Sequence, residues 1–329
     1  MDIRNRQELK SRAAETLSDA TYSPSKLTLI HGGVVVALSL ILSLISLALD
    51  SGIDSAGGLS GMRLQNVFMT IQTLLSYAQI ILLPFWQVSI LFCFMQIVRR
   101  KPVGPGCLLQ GFRKFGPVLR LILLEAVLYF ALAMVCGYIS SFLSMLFPNS
   151  MYAVMMPVME ELSASPTADI YQLIESLPQQ QLLEAMLPMF LIFAALYLAA
   201  VAFVGYRLRF ARYLVLEDEG YGAIKAMLFS WQLTKGNCLA LIKLDFSFWW
   251  YYLLQALAMS LCYGDVMLNL AGVSLSGFGT WVSLIFYCVY GGISLFVDYL
   301  YRPRVESAYA LAYDSLKNPP LTTGYFNAP

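Results

Sequence analysis

Residues Leu64–Val98 read LQNVFMTIQTLLSYAQIILLPFWQVSILFCFMQIV without one charged side chain, and Arg99-Arg100-Lys101 follow at once. A helix crossing a hydrocarbon core about 30 Å thick needs about 20 mainly apolar residues. At about 1.5 Å of rise per residue this run reaches roughly 52 Å. That is more than one crossing needs and too little for two helices and a turn. The run reads as one tilted or projecting helix with Pro84 as a kink near its middle. A β-barrel span would alternate apolar and polar positions over about ten residues, and this stretch does not.

Five further charge-free runs surround it: Leu27–Leu49, Ala126–Pro148, Ala185–Tyr206, Phe246–Gly264 and Val266–Val297. In the last, Gly272-Val273-Ser274-Leu275-Ser276-Gly277 reads as a turn before the final helix. The whole chain agrees with this pattern. Of its 329 residues, 59% are hydrophobic and 12% charged, against about 25% charged in soluble domains. Mean hydropathy is +0.67. A soluble enzyme, a disordered chain and a nucleic-acid binder are excluded on that balance, and a net charge of +1 points to no polyanionic partner. The expected fold is an all-α membrane protein with six transmembrane helices in three hairpins and short cytoplasmic interfacial helices.

Orientation follows from the 21 basic residues, all of which except Arg63 fall on one side of the six spans. They lie in the N-terminal segment, in the connections after Val98 and Tyr206, and beyond Asp298. The opposite side carries Asp50, Asp54, Glu160, Glu161, Asp169, Glu175, Glu184 and Asp265. The positive-inside rule therefore sets both termini in the cytoplasm. The expected parts are a cytoplasmic amphipathic segment 1–26, a transmembrane domain 27–306 with an external segment 149–183, and a cytoplasmic tail 307–329. A cleaved signal peptide is not expected, because a long polar segment precedes a first apolar run that is itself long enough to span. The six cysteines form no CxxC pair, and the reading is structural thiols rather than a disulfide framework.

Each outward hairpin follows a short amphipathic stretch: Glu8–Leu17, Cys107–Phe115 and Tyr221–Leu233. Gly116 precedes Glu125 by the same spacing as Gly236 precedes Asp245, and the exit Tyr206-Arg207-Leu208-Arg209 echoes Tyr301-Arg302-Pro303-Arg304. Three repeats of interfacial helix plus hairpin are expected. In the external segment, Ile170, Leu173, Ile174 and Leu177 recur at helical spacing, and Met151, Met155, Met156 and Met159 form a second apolar stripe. These read as helices on the outer leaflet or a cap; the alternative is an adaptable docking surface or lid.

Three segments resemble a bacterial family of six-span membrane proteins of unknown function, domain-of-unknown-function 975. They are Glu8–Leu17, the stretch Arg209–Trp250 with Lys235-Gly236-Asn237 and Ser247-Phe248-Trp249-Trp250, and Tyr301-Arg302-Pro303 through Tyr313. The resemblance implies the topology and a bacterial plasma membrane. It implies no activity.

Catalytic signatures are missing. The single histidine, His31, rules out an HExxH site, and there is no GxSxG elbow or Walker A lysine. No enzyme activity, cofactor or metal is expected. The informative residues are ionisable groups near the spans, where charge is costly. His31, Glu125, Asp245, Arg207, Arg209, Asp298 and Arg302 form the candidate intramembrane polar cluster, with Asp298 and Arg302 four apart on one helix face. Two readings stand: a polar permeation route, or carboxylates that neutralise the exit arginines. The aromatic run Phe246–Tyr252 reads as an interfacial anchor. Expected partners are membrane lipids and another membrane protein or transporter complex. The expected function is a scaffold or accessory subunit for export or lipid-handling machinery; the alternative is a permease for a small or lipophilic substrate. Cysteines introduced in intact cells should be labelled by an impermeant reagent at Ser165 and spared at Ser11 and Thr322. Labelling at either terminus overturns the topology.

Overall fold

The computed structural model describes residues 5–55, 59–147, 151–164, 179–217, 222–264, 268 and 279–318, and every regular element among them is helical. In chain order these are α1 (Arg6–Ser18), α2 (Pro24–Ser55), α3 (Leu59–Val98), a 3-10 turn (Pro105–Leu109), α4 (Gln110–Arg113), α5 (Phe115–Ser144) and α6 (Met151–Ala164). There follow α7 (Gln179–Leu208), α8 (Ala211–Glu217), α9 (Ala223–Thr234), α10 (Cys238–Phe246), α11 (Trp249–Leu261) and α12 (Gly279–Lys317). The three amphipathic stretches are helical, at α1, at the 3-10 turn with α4, and at α9.

Among the described residues, five stretches are long and apolar enough to cross a membrane: Pro24–Ile45, Met69–Val98, Phe115–Ser144, Glu184–Glu217 and Trp281–Lys317. The run Phe246–Gly264, expected as a sixth, is divided. Helix α10 ends at Phe246, and α11 restarts at Trp249 with 13 residues, a rise of roughly 20 Å. At the break the backbone tightens: Ser247 N donates to Leu244 O at 3.0 Å and Phe248 N to Asp245 O at 2.8 Å. The Ser247 carbonyl, which a continuous helix would use internally, accepts from Lys10 Nζ at 2.6 Å. The same ammonium lies 4.3 Å from the Phe248 ring centre. Partial burial, and Arg6 nearby, lower the Lys10 pKa. The turn Gly272–Gly277, Asp265, residues 165–178 of the external segment and the tail beyond 318 lie outside the described residues.

The chain divides into two units, residues 1–121 with 210–329, and residues 122–209. In the first, Asn5 caps α1 by accepting from Glu8 N at 3.3 Å. Leu9, Ala13 and Thr16 then bury one face, as the four-and-three spacing dictates. Leu27 of α2 joins Ile90, Cys93, Phe94 and Ile97 of α3 in a core closed by Val103 and Leu108, and Cys107 packs against it. The Cys93 thiol, as a hydrogen-bond partner, lowers the Cys107 pKa, with Arg113 acting in the same direction against burial. Glycine brings α2 and α12 together: a Cβ at Gly32 would lie 2.6 Å from Leu295 Cδ2, and one at Gly291 would lie 2.9 Å from Val36 Cγ1.

Helix α12 does not end at the exit motif. It runs unbroken through Pro303 to Lys317, and Ala308, Tyr309, Ala312 and Tyr313 are fully buried. Residues 307–317, expected as part of the tail, are packed helix. Tyr313 stacks on Tyr213 of α8 with centroids 5.2 Å apart. Arg99, at the end of α3, forks onto Asp314 at 2.5 and 3.1 Å and meets Glu217 at 3.0 Å. Those carboxylates, Asp314 first, raise the Arg99 pKa above its ordinary value. Lys317 reaches Glu217 at 2.8 Å, and Tyr313 donates to the same carboxylate.

In the second unit, Ser141 of α5 meets Met189 Sδ of α7 at 3.8 Å, and a Cβ at Gly205 would lie 3.8 Å from the Tyr129 hydroxyl. Going forward along α5 moves backward along α7, so the two helices are antiparallel.

Gly111 sets how α4 sits on α3. Its N–H donates to Ser89 Oγ at 2.8 Å, and Ser89 donates in turn to Phe85 O at 2.9 Å. A Cβ there would overlap the Phe85 carbonyl and lie 2.6 Å from Ser89 Oγ. Gly111→Ala should therefore cost about 1–3 kcal/mol, as overpacking does, and lower the melting temperature in detergent. Gly33, with nothing within 4 Å of its Cβ position, is the control: Gly33→Ala should leave the melting temperature unchanged or raise it.

Candidate functional site

A chain that buries ionisable groups among apolar helices must give each a partner of opposite sign or a matching hydrogen bond. Arg302, on the face of α12 that meets α2, α3 and α11, meets that demand most fully. Its Nη1 lies 3.1 Å from Asp298 Oδ2 and 3.3 Å from His31 Nδ1. Its Nη2 donates to Gln87 Oε1 at 2.7 Å, and its Nε lies 3.5 Å from Glu306 Oε1. The Arg302 and Asp298 side chains are 11% and 13% exposed, so solvent screens this pair little.

Each partner is held in turn. Asp298 Oδ1 accepts from Gln255 Nε2 at 2.7 Å and from the Tyr251 hydroxyl at 3.0 Å. Gln255 Oε1 accepts from Ser294 Oγ at 2.9 Å. His31 is fully buried and stacks on Trp86, centroids 5.7 Å apart, while Trp86 Nε1 donates to His31 O at 2.9 Å. Arginine has donors only, so His31 Nδ1 accepts, and the neutral ring carries its proton on Nε2. That Nε2 has no hydrogen-bond partner among the described residues.

Of the seven residues expected to cluster, His31, Asp298 and Arg302 come together. Asp245 has a different setting. It accepts from Tyr252 at 2.6 Å and from Tyr309, which lies seven residues beyond Arg302, about 10 Å along α12. The expected equivalence of Asp245 and Glu125 fails locally. Gly236 ends α9 with φ of 80° and Asp245 closes the short α10, whereas Gly116 is helical and Glu125 sits well inside α5.

Glu125, Arg207 and Arg209 belong to the second unit. Glu125 is buried at 6% exposure. Arg207 lies over the Phe203 ring at 5.5 Å and Arg209 over Tyr206 at 5.8 Å. Carried four residues back from Tyr129, the antiparallel register of α5 and α7 sets Glu125 level with Arg207 and Arg209.

Sequence reasoning missed Gln87, Tyr251, Gln255, Ser294 and Glu306. The available signal was the amide group: Gln87 and Gln255 are solitary amides within otherwise apolar stretches of charge-free runs. Among the described residues no group of three or more histidine, cysteine or carboxylate side chains is placed to hold a metal.

These features define a class: an all-helical chain with several helices able to span a membrane and a polar core that ties four of its helices together. The chain belongs to the family described as a protein of unknown function, DUF975, which it matches over residues 1–299. No curated protein and no solved structure matches it.

Arg302→Gln leaves buried Asp298 and partly buried Glu306 without their cation and should cost about 3–5 kcal/mol. Asp298→Asn in that background should restore part of the loss, with a coupling of at least about 1 kcal/mol in the double-mutant cycle. Additive losses in thermal unfolding would show that the pair is not coupled.

Proposed function

We propose that the protein is a non-enzymatic integral membrane protein of the bacterial plasma membrane, acting as a scaffold or accessory subunit for export or lipid-handling machinery. In this reading the chain crosses the bilayer six times in three hairpins, α10 and α11 together form the fifth crossing, and both termini are cytoplasmic. The observation that carries the scaffold role is the saturation of Arg302. Its nitrogens face acceptors on α2, α3 and its own helix, and its carboxylate partner is closed off by α11. A substrate would have to break these contacts to reach the charge. The core beside it is apolar, built from Leu27, Ile90, Phe94 and Ile97, which also supports a packed rather than a conducting interior.

A second reading, a permease, draws on one observation: the buried His31 Nε2 is a donor with no acceptor among the described residues. Such a group costs about 1–3 kcal/mol, and a permeant acceptor would relieve it.

Water access separates the two. In a background without the six native cysteines, Ser294→Cys in proteoliposomes should resist a charged methanethiosulfonate added on either side. Reaction at that position, blocked or speeded by a candidate solute, would overturn the scaffold reading in favour of transport.

A further inference from the structure

Between α2 and α3 lies a crevice of about 300 Å³, at the small end of the range for ligand pockets. Val34 and Leu38 of α2 and Leu82 and Trp86 of α3 form its walls, and Leu109 and Phe112 close the end nearest Pro24 and Val98. Water in such a space needs two to four polar partners. No lining side chain offers one, since the only polar atom, Trp86 Nε1, is already donated to His31 O at 2.9 Å. That bond holds the indole in place along α3.

The closed end is built to stay closed. Gly111 lets the α4 backbone rest directly on Phe85 and Ser89, and this fixes the next residue, Phe112, across the crevice. The residue after that is Arg113, which is exposed. On α2, Lys26 is also exposed and precedes Val34 by eight residues, about 12 Å toward the same end. Neither cation has a carboxylate partner among the described residues. An apolar slot thus opens along two helices that are each apolar enough to span a membrane, with Arg113 next to its closed end and Lys26 about 12 Å beyond Val34 on the same side.

We propose that this crevice is a specific lipid site: it takes one acyl chain of an anionic phospholipid, and Arg113 and Lys26 hold the phosphate. Hydrocarbon fills a space that rejects water, and the cations select the headgroup. The inference rests on the membrane-spanning reading of α2 and α3. Failure of that reading would appear in the topology labelling, whereas failure of this one appears in headgroup choice.

Trp86 supplies the probe. The protein in mixed micelles is titrated with phosphatidylglycerol or phosphatidylcholine carrying brominated acyl chains, and the Trp86 signal is the difference between the native chain and Trp86→Phe. Quenching of Trp86 by brominated phosphatidylglycerol should saturate at a mole fraction about 25-fold lower than for phosphatidylcholine, since each of the two cations near an anionic headgroup contributes about fivefold. Lys26→Gln with Arg113→Gln should bring the two curves together, and Val34→Phe, which fills the slot, should remove the saturable component. Should Val34→Phe fail to fold, native mass spectrometry of the unaltered protein should show one retained phosphatidylglycerol that the surface double variant loses. Equal quenching by the two lipids, or a saturable component that survives Val34→Phe, overturns the proposal.

Discussion

One permanent charge, Arg302, sits among apolar helices, and much of the larger unit is arranged to keep it there. A guanidinium cannot shed its proton to escape burial, so the fold must surround it with acceptors. Asp298 comes from the same helix one turn earlier, as an i, i+4 pair. That pair alone would leave lone pairs and N–H groups unsatisfied, and Gln87 of α3, His31 of α2 and Gln255 of α11 supply the remainder. Removing any helix from this arrangement strands a polar group on another. Van der Waals packing between apolar helices has no such directionality, so the polar core sets the register that Gly32, Gly291 and the aromatic contacts then fill.

A second constraint acts on the backbone. Wherever an apolar helix stops short, its last carbonyls need donors. The break between α10 and α11 exposes the Ser247 carbonyl, and Lys10 of α1 takes it. The amphipathic N-terminal helix is therefore tied to the split fifth run through a charge-assisted hydrogen bond. At the other end of the chain, Arg99, Glu217, Asp314 and Lys317 form a network of alternating charge that ties α3, α8 and α12. These groups are about a fifth exposed, so each pair is worth less than the buried one, and it is the network rather than any single bridge that holds the end of α12 in place.

What could be read in the sequence was what depends on composition over a long window. Absence of charge across 20 or more residues predicts a spanning helix, and among the described residues five helices are long and apolar enough to span. The i, i+4 spacing of Asp298 and Arg302 and the depth of His31 located the centre of the polar core. What escaped depends on single residues answering distant partners. Ser247-Phe248 contains neither glycine nor proline, so nothing local announces a break; its partner Lys10 is 237 positions away. Cys93 and Cys107 read as a thiol within a span and one in a loop, and only the return of the chain at Pro105–Leu109 packs them together. Asp245 was grouped with Arg302 by counting from an assumed repeat, but the split helix rotates it onto Tyr309.

The two exits show why an echo in sequence need not be an echo in structure. Tyr206-Arg207-Leu208-Arg209 and Tyr301-Arg302-Pro303-Arg304 share their aromatic and cationic positions, and by propensity the one with proline should be the one to stop. The reverse occurs. Helix α7 ends at Leu208 because the next free amide, Phe210 N, is taken by Ser230 Oγ at 3.1 Å. Helix α12 continues past Pro303 because the residues beyond it, Ala308 and Ala310 with Ala312, are strong helix formers buried in the packed core. There, burial of the following two turns outweighs one missing backbone bond. What the two motifs have in common is therefore an arginine next to a tyrosine, and the tertiary partners decide whether the helix goes on.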